Sequence, residues 1–202
     1  MTAKSPNRFR RLFVLLALIM VLALILLRWH HSPGPVPGTG TAPLVEVNRT
    51  NLLRSQDLWF PNGSTNPFTG MLVDFYPGGG RMSRSAVSNG QLAGLSEGWF
   101  TNGQQQVREN YRTNVADGRR TRWYPDGQKM SECTIVSGQI QGVFRRWHQD
   151  GSLAEEIPMR DGQPEGVGRV YYPSGCLAME VERHSGKVVK QQRWKDGEQK
   201  GR

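Results

Sequence analysis

The chain has 202 residues, enough for one folded domain with appendages, and carries 26 Lys and Arg against 17 Asp and Glu, a formal charge of +9. Of that excess, +5 falls within residues 1–31, at Lys4, Arg8, Arg10, Arg11 and Arg28, which leaves a mild +4 for the rest of the chain. A nucleic-acid binder gathers positive charge on a folded face; here most of it flanks an apolar segment, so it reads as a topology signal and no nucleic-acid partner is expected.

Residues 1–11 form the basic N-terminus. Leu12 to Leu27 then contain no polar residue. As a helix those residues reach roughly 24 Å, slightly short of a ~30 Å hydrocarbon core. Arg28 can snorkel and Trp29 suits the interface, which extends the span over residues 12–29. The alternative is a cleaved signal peptide, but Arg28-Trp29-His30-His31 lacks the small residues that cleavage requires. The expected arrangement is an uncleaved signal-anchor in an inner membrane, N-terminus cytoplasmic and the remainder outside, periplasmic if the source is a Gram-negative bacterium. Residues 30–43 are rich in proline and glycine, unsuited to helix or ladder strand, and read as a linker. Residues 44–69 read as an N-terminal cap on a repeat array.

From residue 70 the chain repeats every 24 residues. One glycine column is Gly70, Gly94, Gly118, Gly142 and Gly166. A second is Gly79, Gly103, Gly127, Gly151 and Gly175. A third is Gly90, Asn114, Gly138, Gly162 and Gly186. Its one exception is Asn, the residue next best suited to positive φ. Ahead of the second glycine column stand two adjoining aromatic columns. The first is Phe75, Trp99, Trp123, Trp147 and Tyr171; the second is Tyr76, Phe100, Tyr124, His148 and Tyr172.

Pro-Asp-Gly and Pro-Ser-Gly are turn sequences, in which Pro presets φ and Gly accepts a left-handed conformation. Aromatic and β-branched residues before each turn, and alternating stretches such as QKMSECTIV after it, predict one strand on either side. A tighter turn at Ser-Gly or Asp-Gly joins each copy to the next. The expected fold is all-β: an elongated, twisted antiparallel meander of five hairpin repeats over residues 70–189, preceded by the transmembrane helix. At ~10 Å per two strands, an aromatic column becomes a continuous stripe. The first column is expected to be repeat core, with an exposed stripe gripping a partner as the alternative. The second column, one residue on, should then face the other side. Residues 190–202 read as a degenerate capping repeat and basic tail, whose lysines discourage edge-to-edge pairing.

The motifs GRRTRWYPDG, GVFRRWHQDG and GVGRVYYPSG, with the entry LWFPNGSTNPFTGMLVDFYPGG at 58–79, resemble the MORN repeat variant of bacterial proteins. The resemblance covers about Leu58 to Gly197. It implies either a YwqK-type antitoxin or a scaffold that binds protein or lipid.

No reactive constellation stands out in the sequence, and no catalytic residue, metal site or cofactor is expected; nor is a small-molecule ligand. Cys133 and Cys176 fall in copies three and five, roughly 19 Å apart at ~4.8 Å per strand, too far for a disulfide. Glu132, Glu156 and Glu180 recur every 24 residues and are expected to be opposed by Arg145, Arg146 and Arg169 on neighbouring strands. The leading functional expectation is a non-enzymatic, membrane-anchored scaffold holding a protein partner at the cell envelope. The alternatives are an antitoxin or immunity protein, and an accessory subunit of an envelope enzyme.

Overall fold

The structure, a computed structural model, describes residues 44–198. The basic N-terminus, the expected span 12–29 and the linker 30–43 lie outside the described residues. Within them, no helix is long and apolar enough to cross a membrane.

The described chain opens with β1 (Glu46–Asn48), a 3-10 turn (Arg49–Asn51) and a short hairpin of β2 (Leu52–Ser55) and β3 (Leu58–Pro61). The meander starts with β4 (Gly70–Phe75), β5 (Arg81–Ser88), β6 (Gln91–Trp99) and β7 (Gln105–Arg112). It continues with β8 (Val115–Ala116), β9 (Gly118–Trp123), β10 (Lys129–Val136) and β11 (Gln139–Trp147). It ends with β12 (Leu153–Arg160), β13 (Gln163–Pro164), β14 (Gly166–Tyr171), β15 (Leu177–His184) and β16 (Lys187–Arg193). Strands β4 to β16 pair with their sequence neighbours, with β8 and β13 as short side pieces on β7 and β12. The 189/190 boundary drawn from the sequence falls inside β16, which pairs with β15 throughout.

The expectation of an antiparallel meander needs one correction. β1 pairs parallel to β4, with Glu46 opposite Met71, so the first edge of the sheet is mixed. The excursion through residues 49–69 permits this: parallel neighbours need a connection of about a dozen residues or more, whereas a tight hairpin turn gives an antiparallel pair. β4 thereby becomes an interior strand. The excursion is also what buries apolar surface. Leu52, Phe68, Leu72 and Val87 form a core, with Val47, Trp59 and Leu92 packed against it.

Gly90 is where the cap docks. Its N–H donates to the Phe68 carbonyl at 2.7 Å and its carbonyl accepts from the Trp59 N–H at 2.9 Å. Its φ is +78°, and a Cβ there would meet Leu58 Cβ at 3.0 Å and the Trp59 carbonyl at 3.1 Å. Glycine is required at this position both by conformation and by space.

The two turns of each copy differ in kind. The aromatic turn closes with a hydrogen bond from the glycine N–H to the second-column carbonyl, as from Gly127 to Tyr124 at 2.9 Å, and the same bond forms at Gly79, Gly103, Gly151 and Gly175. These five glycines all have positive φ. The other turn has positive φ at both central residues: Asn89-Gly90, Thr113-Asn114, Ser137-Gly138, Asp161-Gly162 and Ser185-Gly186. That is the I′ geometry whose twist matches a hairpin. A β-bulge follows each aromatic turn, where the first-column residue pairs one position out of register: Phe75 with Arg81, Trp99 with Gln105, Trp123 with Lys129, Trp147 with Leu153 and Tyr171 with Leu177. Repeated at the same place, this extra residue increases local twist once per copy.

Candidate interaction surface

Register and strand alternation assign each side chain to one of two faces. On one face a row crosses nine strands: Arg84, Glu97, Arg108, Thr121, Glu132, Arg145, Glu156, Arg169 and Glu180, each directly opposite the next. Apart from Thr121 the row consists of charged residues, and opposite charges face each other across strands β5 to β7 and β10 to β15. Arg145 reaches Glu156 at 2.8 Å and Arg169 reaches Glu180 at 3.0 Å. Arg146 instead pairs with Glu155 on the other face. Glu132 takes its ion pairs from Arg119 at 2.6 Å and Lys129 at 2.9 Å rather than from Arg145. Burial pushes the Glu132 carboxyl up, but the hydrogen bonds from Arg119 and Lys129 outweigh it and hold it below its usual value.

The first aromatic column lies on this same face, two positions along each strand from the charged row. It is neither a buried core nor a free surface. Phe75 is 43% exposed, while Trp99, Trp123, Trp147 and Tyr171 are half-buried. Burial raises the Tyr171 phenol above its ordinary value. Cations from the strand before cover two of the rings: Lys129 Nζ sits 4.9 Å from the Trp147 centroid, and the Arg81 guanidinium 6.0 Å from that of Trp99. The deeper apolar positions are elsewhere, at Leu72, Val87, Cys133, Ile135 and Val181. A single-layer sheet has few sites that neighbours can cover completely, so the rings lie against the strands and keep one side wet.

The second column sits at the turns rather than within the strands, and Phe100 and Tyr124 border a cleft with Val107 and Arg122, on the sheet face opposite the charged row. Tyr76, Phe100, Tyr124, His148 and Tyr172 stand just past the strand ends, at the start of the aromatic turns. There they join one copy to the next. The Tyr76 hydroxyl donates to the Trp99 carbonyl at 2.7 Å, Tyr124 to Trp147 at 2.9 Å and Tyr172 to Trp194 at 3.0 Å. His148 makes the equivalent bond from Nε2 to the Tyr171 carbonyl at 2.9 Å. Phe100 has no hydroxyl, so the Trp123 carbonyl lacks this donor. The signal was present in the sequence as a Tyr 23 residues before the next copy's aromatic, but alternation assigned it to a sheet face. Trp194 completes the series although its repeat is one residue short.

Asn114, the exception in the third glycine column, also acts at a distance. Its Oδ1 accepts from the Leu92 N–H at 2.8 Å and its Nδ2 donates to the Asp57 carbonyl at 3.0 Å, tying the second hairpin turn to the cap. Under the cap lies a polar cleft lined by Trp59, Ser83, Ser85, Ser96 and Tyr111. The guanidinium groups of Arg49 and Arg54 lie 5.6 and 5.7 Å from the Trp59 ring centre. Burial, and then the bond to Glu109, raise the Tyr111 phenol.

Cys133 and Cys176 are both free thiols. Cys133 is buried on β10, and burial pushes its thiol up. Cys176 forms a β-bridge immediately before β15, where its carbonyl accepts from the Tyr172 N–H across the turn. Among the described residues no three His, Cys, Asp or Glu side chains gather where they could hold a metal ion.

Among known protein families, the model described as MORN repeat variant matches residues 116–136. No curated protein matches the chain. The matched stretch runs from the end of β8 through β9, the Pro-Asp-Gly turn and β10, one complete hairpin of the meander. Residues 116–136 are thus similar to the MORN repeat variant.

Proposed function

We propose that this protein is a membrane-anchored, non-enzymatic β-repeat scaffold that binds a protein partner at the cell envelope. One observation carries the reading: a single sheet displays half-exposed aromatics beside a row of alternating charges over five successive copies. Such a face offers a partner apolar anchors with polar groups alongside, the combination that protein interfaces use. The anchor over residues 12–29 rests on the sequence alone. With basic residues ahead of it, it places the repeats on the far side of the membrane from the N-terminus.

Crosslinking of the tagged full-length protein in its native membranes, followed by mass spectrometry, tests the proposal. Capture of one envelope protein or enzyme complex is the expected result. Capture of a small toxic protein supports an antitoxin instead, and a reporter fusion that places the repeats in the cytoplasm overturns the proposed topology.

A further inference from the structure

Where the second copy meets the third, three departures from the repeat coincide. The first is Phe100, which stands where Tyr76, Tyr124 and Tyr172 carry a hydroxyl, so the Trp123 carbonyl goes without the donor that Trp99, Trp147 and Trp194 receive. The second is Arg122. One copy later, Arg146 faces Glu155 and pairs with it. Arg122 faces Val107 on one side and Ser131 on the other, neither of which can neutralise it, and among the described residues it makes no ion pair. The nearby Glu109 is held by Arg120 at 2.5 Å and by the Tyr111 hydroxyl. The third is a cleft of about 540 Å³ walled by Phe100, Val107, Trp123 and Tyr124, with both Arg122 and Glu109 on its lining.

We infer that this cleft is a specificity pocket, which takes an apolar side chain of the partner, aromatic or long aliphatic, flanked by a carboxylate. The inference deepens the scaffold reading and rests on it for the nature of the partner. The apolar walls desolvate the anchor side chain. Glu109 on the same lining is held by Arg120 and Tyr111, so Arg122 keeps its charge free, in a fork that matches a carboxylate. The same position in the next copy is closed to such a ligand, because Glu155 occupies the guanidinium of Arg146. Selection of one place along a regular array therefore comes from residues the repeat omits.

The test uses the full-length chain in nanodiscs of zwitterionic lipid and a small probe, 3-(4-fluorophenyl)propionate, followed by fluorine NMR. Saturable line broadening is expected at millimolar probe. Arg122→Gln, or replacement of the probe by its neutral amide, weakens binding about tenfold, equivalent to ~1.4 kcal/mol. Arg122 is exposed and makes no ion pair among the described residues, so Arg122→Gln leaves the melting temperature unchanged. That variant keeps the test independent of unfolding. No broadening, or broadening equal in all variants and in empty nanodiscs, overturns the inference. The probe needs no partner, so this outcome is separate from that of the crosslinking. If a partner is captured, Arg122→Gln reduces its yield; an unchanged yield means that the partner docks elsewhere on the sheet.

Discussion

At the scale of single residues, the inter-copy hydrogen bond is the feature with the clearest energetic consequence. Tyr124→Phe removes one half-buried hydroxyl without changing shape, and is expected to cost about 1 kcal/mol of stability in denaturant unfolding. No measurable change would mean that water replaces the bond fully. Trp123→Ala tests the aromatic column. A fully buried Trp loses ~3–5 kcal/mol on truncation; half-buried rings should lose roughly half of that, about 2 kcal/mol, since less area leaves water. The thiols differ by burial in the same way. Cys176, half-exposed after its turn, should react with a thiol reagent in the native protein, while Cys133 reacts only on unfolding. Equal rates would contradict the placement of Cys133 under its neighbours.

At the scale of elements, the cap and the first two hairpins form a unit held by polar contacts. Asn114→Gly keeps a residue that accepts φ of +64° but removes both side-chain bonds, to Leu92 and to Asp57. Hydrogen exchange is expected to quicken across β2 and β3 while strands β10 to β15 keep their protection. If protection falls evenly along the array, the cap is no separate element. The I′ turns explain why the other copies manage with glycine. They need only the conformation, whereas Asn114 supplies the conformation and a latch.

At the scale of the whole molecule, pairing of each strand with its neighbours makes the array additive. Deletion of residues 118–141 removes one copy and joins Asp117 to Gly142 in register. The shortened protein should remain cooperatively folded with a lower melting temperature; global unfolding would show that distant copies support one another. The charged row gives the array its pH dependence. Glu132 has a folded pKa below its ordinary 4.5, so its stabilising contribution is complete above that value and is lost as pH falls through the lower folded value. Asp126 and Asp150 are depressed as well. Asp126 accepts chiefly from the Gln128 N–H; Asp150 accepts first from the Ser152 hydroxyl and then from its N–H. Thermal melts should therefore show stability falling with pH below about 4.5, with a shallower slope in Glu132→Gln. An identical slope would mean that the Arg119 and Lys129 contacts contribute nothing in solution.

The period, the strand count per copy, both turn positions and the all-β class were legible in the amino-acid sequence, because each depends on local chemistry. Pro-Asp-Gly and the paired positive-φ residues bend the chain wherever they occur, and a 24-residue spacing survives any tertiary arrangement. The opposition of Glu156 to Arg145 and of Glu180 to Arg169 was legible too, since register in a hairpin follows from the turn. Other features arise only in the packed molecule. The parallel β1 and the Gly90 docking site depend on residues 22 to 31 positions apart coming together. The second aromatic column is the most instructive case. Alternation places a side chain above or below its own sheet, but Tyr124 leaves the strand at its end and bonds to the next copy. No local rule carries that information, because its partner exists only once two copies are stacked. The cleft beside Phe100 has the same origin, since its walls come together only where Val107 of one copy faces Arg122 of the next.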